Sequence, residues 1–257
     1  MIEIRDLSLT RNKTEILQNI NLSFNEGDVI GIIGEAGAGK TALLQILAGV
    51  IKDYKGDVII KNNNLLSLTK GHHQLLISSL LNSIPSNDEY TLYDSLLEAR
   101  KPFKKFLNPL TELDLQLTEE YLNLFELDRF KEKKICTLSD GIIKRTLLAS
   151  SFIRDAATLI IDNPTCDLDI RSISLLQKAI SKYVIDGDKI LIIASNDINF
   201  IIQTVDRIII LQDGHLVLET RPDAIDGELI KRYFNLEVIF SRNMYNGKPD
   251  IQLFPVN

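Results

Sequence analysis

Residues 34–41 constrain this chain more than any other stretch. Gly34-Glu35-Ala36-Gly37-Ala38-Gly39-Lys40-Thr41 sets glycine at its first and sixth positions, followed by lysine and a hydroxyl residue. It directly follows Val29-Ile30-Gly31-Ile32-Ile33, an apolar run that reads as a buried strand, and opens an apolar helical pattern over residues 40–50. That strand-turn-helix context separates it from a glycine turn that merely caps a helix. Glycines let successive backbone N–H groups turn inward around phosphates, and the helix start adds partial positive charge. Lys40 would reach the β- and γ-phosphates, and the Thr41 hydroxyl would ligate Mg²⁺. Gly34, Glu35, Ala36, Gly37, Ala38, Gly39, Lys40 and Thr41 are therefore the candidate nucleotide-binding residues.

The rest of the chain supplies a scaffold for such a loop. Thr158-Leu159-Ile160-Ile161, Lys189-Ile190-Leu191-Ile192-Ile193 and Arg207-Ile208-Ile209-Ile210-Leu211 are continuous apolar runs, as expected of strands covered on both faces. Their alternation with helical patterns predicts an α/β fold with a mainly parallel sheet. Short strands are expected at residues 2–4, 20–24 and 58–60, forming an N-terminal antiparallel β subdomain. Between about residues 81 and 151 helical periodicity takes over, as in Leu92-Tyr93-Asp94-Ser95-Leu96-Leu97 and Tyr121-Leu122-Asn123-Leu124-Phe125, which predicts an inserted helical subdomain. After Gly214, His215-Leu216-Val217-Leu218 reads as a closing hairpin strand, and the tail from Glu228 as one helix with short extended pieces. At 257 residues the expectation is one domain: a core at about 1–81 and 152–225, the helical subdomain at 82–151 and a tail at 226–257.

Asp162 ends the run Leu159-Ile160-Ile161, which sets its carboxylate at the C-terminal edge of a strand, where open α/β sheets bind ligands. Beside a triphosphate loop it is the natural second anchor for Mg²⁺. Formal net charge is −6, so the field of the whole chain repels phosphate backbones and any phosphate site is built locally. Nucleic acid is excluded as an expected partner. No apolar run is long enough to span a bilayer, and the N-terminus shows no leader pattern, so a cytoplasmic protein is expected.

Here the chain resembles a family. Ile160-Ile161-Asp162-Asn163-Pro164-Thr165-Cys166-Asp167-Leu168-Asp169 resembles the Walker B and D-loop segment of ABC ATPases. Leu138-Ser139-Asp140-Gly141-Ile142 sits where that family carries its Leu-Ser-Gly-Gly-Gln signature, and Ala194-Ser195-Asn196-Asp197 where it carries a switch histidine followed by Asp. Order and spacing agree across nearly the whole chain. The nearest likeness is to ATPase subunits of importers for iron-siderophore, haem and cobalamin complexes, through Thr91-Leu92-Tyr93-Asp94-Ser95-Leu96-Leu97-Glu98-Ala99-Arg100, Leu168-Asp169-Ile170 and the tail near Gly247-Lys248-Pro249.

The resemblance also exposes what is missing. The family's catalytic Glu after Walker B is Asn163 here, its switch histidine is Asn196, and its Gln-loop glutamine aligns with Asn82. An amide cannot take a proton at neutral pH, although its carbonyl oxygen can orient a water. None of the three histidines, His72, His73 and His215, stands directly after the strand ending at Ala194. The signature keeps Ser139 and Gly141, which the resemblance places against the γ-phosphate held by an opposite subunit. Asp140 and Ile142 replace its first Gly and its Gln, and a carboxylate facing phosphate is unfavourable. No aromatic stands at residues 9–13 to stack a base; Arg11 could stack there, the simpler reading being a solvated side chain.

The resemblance thus implies an ABC transporter ATP-binding subunit that binds ATP and Mg²⁺ at a head-to-tail dimer interface and hydrolyses slowly or not at all. Its partners would be a second ABC ATPase subunit, identical or intact, the transmembrane permease and, indirectly, a solute-binding protein. The permease would dock near residues 82–100 and hold the subunit on the inner face of the membrane. The alternative is a nucleotide-dependent regulatory or scaffolding protein without a permease. A chromosome or DNA-repair ATPase would need coiled-coil heptads and basic surface, which the chain lacks. Cys136 and Cys166 read as inert small hydrophobes, His72 and His73 as a solvated turn, and Arg100, Lys101, Lys104 and Lys105 as a solvated helix end.

Overall fold

Apolar runs without polar alternation form strands when both faces are covered, and the three most apolar stretches here do so. The computed structural model describes residues 1–80, 90–103, 110–244, 247 and 249–255. The chain divides into two units, Met1–Leu68 with Ile161–Thr165 and Ile190–Asn257, and Thr69–Ile160 with Cys166–Lys189.

The first unit opens with β1 (Ile2–Arg11), β2 (Thr14–Phe24), β3 (Val29–Ile33), helix α1 (Lys40–Leu47), β4 (Lys55–Ile60) and β5 (Asn63–Asn64). Strands β2, β1, β4 and β5 form an antiparallel sheet in that order. Ile2, Ile4, Leu7 and Leu9 of β1 are buried, the irregularity between Ile4 and Leu7, where Asp6 takes φ 49°, accounting for the change of parity. Both N-terminal strands run much longer than the apolar clusters at residues 2–4 and 20–24. Helix α1 stops at Leu47 rather than at residue 50, because Gly49 takes φ 68° beyond the cap Ala48.

The second unit holds α2 (Lys70–Leu76), β6 (Ile77–Ser79), α3 (Leu92–Glu98), α4 (Glu112–Leu124), α5 (Asp140–Ile153), most of β7 (Thr158–Asp162) and α6 (Ile170–Tyr183). Strand β6 pairs in parallel with β7 over Ile77–Thr158 to Ser79–Ile160. Reciprocal capping boxes start α3 at Thr91/Asp94 and α4 at Thr111/Asp114. Tyr121, Phe125 and Tyr183 surround Phe152 with ring centroids 5.5, 6.0 and 5.7 Å away.

Two surface readings are corrected in this unit. Arg100 is buried: its Nε donates to Asp114 Oδ1 at 2.7 Å, and Nη1 donates to the carbonyls of Ile153 and Arg154 at the end of α5. A guanidinium buried this way is held by one carboxylate and a helix C-terminus, so it is a structural tie and no solvated end. Lys101 is exposed, and Lys104 and Lys105 lie outside the described residues. His72 and His73 sit inside α2, which Thr69 caps, so they form no turn. Cys136 and Cys166 are exposed and fill no part of the core.

The first unit resumes with β8 (Ile190–Ala194), α7 (Ile198–Thr204), β9 (Arg207–Gln212), β10 (His215–Thr220), α8 (Gly227–Phe234), β11 (Leu236–Arg242) and β12 (Pro249–Pro255). Strand β3 pairs in parallel with both β8 and β9, and β10 closes β9 as the expected hairpin. Every residue of β3 and β8 is buried. Helix α7 lies so close to β3 that a Cβ on Gly31 would meet Ile201 Cγ2 at 2.4 Å. The architecture is α/β with a mainly parallel central sheet, a separate antiparallel N-terminal sheet and helices. Among the described residues no helix is long and apolar enough to cross a membrane.

Candidate functional site

The C-terminal ends of β3, β7 and β8 deliver the candidate residues of the first unit to one region. Strand β3 ends at Ile33, and residues 34–39 loop over before Lys40 starts α1. The loop requires glycine at Gly39, where φ is 98° and an added Cβ would lie 2.7 Å from Leu17 Cδ2 and 2.8 Å from the Ile16 carbonyl. Gly37 has φ 87°, in the left-handed region that favours glycine, with open space where a Cβ would stand. The loop thus packs against β2 at Gly39.

Lys40 is buried, and its Nζ donates to the carbonyls of Gly34 at 2.6 Å and Glu35 at 2.8 Å. Burial pushes its pKa down, and the Asp162 carboxylate works against that shift. The hydrogen-bond partners of the ammonium are neutral carbonyls, so an incoming anion would offer it a charge-assisted partner. Thr41 Oγ1 donates to Asp162 Oδ2 at 2.7 Å. A hydroxyl and a carboxylate oxygen that converge in this way suit a hard divalent cation with oxygen preference. The backbone N–H cradle, the ammonium and this oxygen pair fit a magnesium-bound triphosphate.

Asn163 follows Asp162 with φ 45°. Its backbone N–H donates to the Ala194 carbonyl at 2.8 Å, its Nδ2 to Asp162 Oδ1 at 3.1 Å, and its Oδ1 accepts from the Asn196 N–H at 3.2 Å. Neither amide, Asn163 nor Asn196, can accept a proton from water near neutral pH. Asn196 is exposed after β8, and Asp197 caps α7.

A cleft of about 460 Å³ gathers Ala36 to Thr41, Asn163 and Asn196, with Arg11, Ile16 and Gln45 at its wall. Ile16 and Gln45 were not singled out from sequence. Ile16 arrives through the β2 pairing and Gln45 through one further turn of α1, and neither carries a motif. Arg11 is exposed and does line the cleft.

Ser139 and Gly141 belong to the second unit, where Ser139 is the N-cap of α5 without a side-chain cap bond. Both are exposed at the start of a fourteen-residue helix, where the Ser139 hydroxyl and the N–H groups of Asp140 and Gly141 suit an anion while those of Ile142 and Ile143 donate to the Ser139 carbonyl. Asp140 occupies the first turn, and Ile142 is buried as an anchor. Asn82 lies outside the described residues.

The comparisons with known proteins agree with this geometry. A family profile described as ABC transporter matches residues 17–166. An uncharacterized ABC transporter ATP-binding protein of Methanocaldococcus jannaschii is 26% identical over 244 residues, spanning 92% of this chain and 92% of that protein. A petrobactin import ATP-binding protein of Bacillus anthracis is 23% identical over 249 residues, spanning 96% of this chain and 91% of that protein. A solved dimeric ATP-binding cassette in a post-hydrolysis state, bound to ADP and Pi, superposes with a TM-score of 0.75 at 22% identity, spanning 88% of this chain and 100% of that one. At that identity the likeness is one of fold.

Proposed function

The chain belongs to the ABC transporter family, and from that premise we propose that it is the ATP-binding subunit of an importer for metal chelates of the iron-siderophore, haem or cobalamin type, with impaired hydrolysis. The petrobactin-import relative supports the substrate class. In this reading residues 1–257 form one ABC-type domain, with an inserted helical part. Gly34 to Thr41 hold the phosphates, Lys40 exchanges its carbonyl partners for phosphate oxygens, and Thr41 with Asp162 hold Mg²⁺. Bound Mg²⁺ would neutralise charge on the terminal phosphates. Ser139 and the Gly141 N–H would meet the nucleotide of a second cassette subunit, the same chain or an intact relative, and the closing pair would move a permease on the inner face of the membrane.

One observation carries the reading: Lys40, Thr41 and Asp162 converge with binding geometry, while Asn163 and Asn196 offer no general base. Loss of a general base costs on the order of 10² to 10⁴ in rate. A titration of Mg-ATP beside a turnover assay tests this, run on the chain alone and with any co-encoded cassette ATPase. The expected result is saturable binding with turnover far below about 1 s⁻¹, the ordinary enzyme range. Folded protein without affinity for Mg-ATP would sink the nucleotide reading, and turnover near about 1 s⁻¹ by the chain alone would sink impaired hydrolysis.

A further inference from the structure

The side chain of Asn163 is engaged at both ends. Its Nδ2 donates to Asp162 Oδ1 at 3.1 Å, and its Oδ1 accepts from the Asn196 N–H at 3.2 Å. Reversing the amide would set its carbonyl against the carboxylate and its N–H₂ against the Asn196 N–H, so its neighbours fix the orientation. Asp162 Oδ1 is held by this amide while Oδ2 accepts from Thr41. A hydrogen-bonded chain therefore runs Thr41, Asp162, Asn163, Asn196 across the cleft.

Three requirements meet at position 163. The backbone sits at φ 45°, a region that asparagine enters more readily than other residues with a side chain, glycine apart. One neighbour needs a donor, and the other needs an acceptor. A glutamate or aspartate in this place could accept from the Asn196 N–H, but it would offer Asp162 a second negative charge in place of a donor. Serine offers a single shorter hydroxyl, and glycine satisfies the backbone alone. Asparagine meets all three.

We infer that Asn163 is a positioning residue: it holds the Asp162 carboxylate turned toward Thr41, and so prepares the oxygen pair for Mg²⁺, rather than standing as the remnant of a base. This rests on the Mg-ATP reading above. Groups that orient a metal-ligating carboxylate through a hydrogen bond change metal affinity without touching the metal. The energetic signature is a change in how much Mg²⁺ tightens nucleotide binding, with the Mg²⁺-free affinity left to the phosphate cradle.

The test is the ratio of ATP affinity with Mg²⁺ to that in excess chelator, measured on the full chain for wild type and Asn163→Gly. Glycine tolerates φ 45° and keeps the backbone bond to Ala194 while losing both side-chain bonds. The expected result is an unchanged affinity in chelator and a Mg²⁺ enhancement reduced about tenfold. An equal enhancement in both proteins would overturn the inference and leave ATP binding standing. A wild type that binds no ATP in either condition overturns this inference together with the nucleotide reading, a pattern distinct from the first. Should the variant fold poorly, hydrogen exchange on the wild type decides: the Asn196 N–H must be protected, and exchange at the rate of an open amide would overturn the proposal.

Discussion

The cleft is built from two kinds of strand end, and they differ in what their side chains can do. At the end of β3 the chain offers backbone N–H groups and one buried ammonium, which rests on the carbonyls of Gly34 and Glu35. At the ends of β7 and β8 it offers amides, already bonded to one another and to Asp162. The first end is arranged to trade weak neutral partners for an anion. In the second, the Asn163 amide is already bonded at both ends, and an amide does not take up a proton. Gripping a triphosphate depends on loop geometry and fixed charge, whereas splitting it depends on one titratable group beside a water. The two capacities therefore sit on separate residues, and a sequence can keep one without the other.

Removing the ammonium gives the largest expected effect. Lys40→Ala takes away the one full positive charge of the cradle, and truncating one partner of a buried charge pair costs about 2 to 5 kcal/mol. A central value of about 4 kcal/mol corresponds to about 10³ in ATP affinity by titration. The variant should keep its secondary structure, because alanine is an excellent helix former at the start of α1. Retained ATP affinity would break the comparison, since the β3 end would then not be the gripping end.

Restoring a base and a switch residue gives the next effect. The Asn163→Glu, Asn196→His double variant should raise ATP turnover by about 10². The same change removes the amide donor from Asp162, so the faster protein should also show a Mg²⁺ enhancement of ATP binding lower by about tenfold. A gain in rate without that loss would mean that position 163 matters for water alone. No gain in rate would mean that the β7 and β8 ends lack more than two side chains.

What the sequence disclosed follows the same division. Residues 34–41 were legible because a strand, a glycine-rich turn and a helix follow one another in the sequence, whereas the close approach of Ile16 and Leu17 to Gly39 was not. Asp162 was legible because it ends an apolar run. Strand β6 was not, since three residues, Ile77 to Ser79, gain strand geometry only by pairing with β7 some eighty positions away. The burial of Arg100 was equally hidden, because Asp114 and the end of α5 reach it through tertiary packing. Asn163 is intermediate. Its identity departs from the glutamate of the resembled family, but only φ and the two bonded neighbours show how the amide is held.

The smallest effect concerns the outer wall of the cleft, where Arg11 stands exposed beside Ile16. A guanidinium laid on a base at an exposed site contributes about 0.5 to 1 kcal/mol. Arg11→Ala should then weaken ATP binding about threefold by that magnitude, while inorganic tripolyphosphate, which has no base to stack, binds the variant and the wild type alike. A parallel loss for both ligands would assign Arg11 to the phosphates, and the gripping surface would extend beyond the end of β3 onto β1. No loss for either would leave Arg11 a solvated side chain and confine the grip to the loop, Lys40, Thr41 and Asp162. The comparison of ligands matters more than the size of the effect, because a threefold change common to both carries the opposite meaning from a threefold change in one.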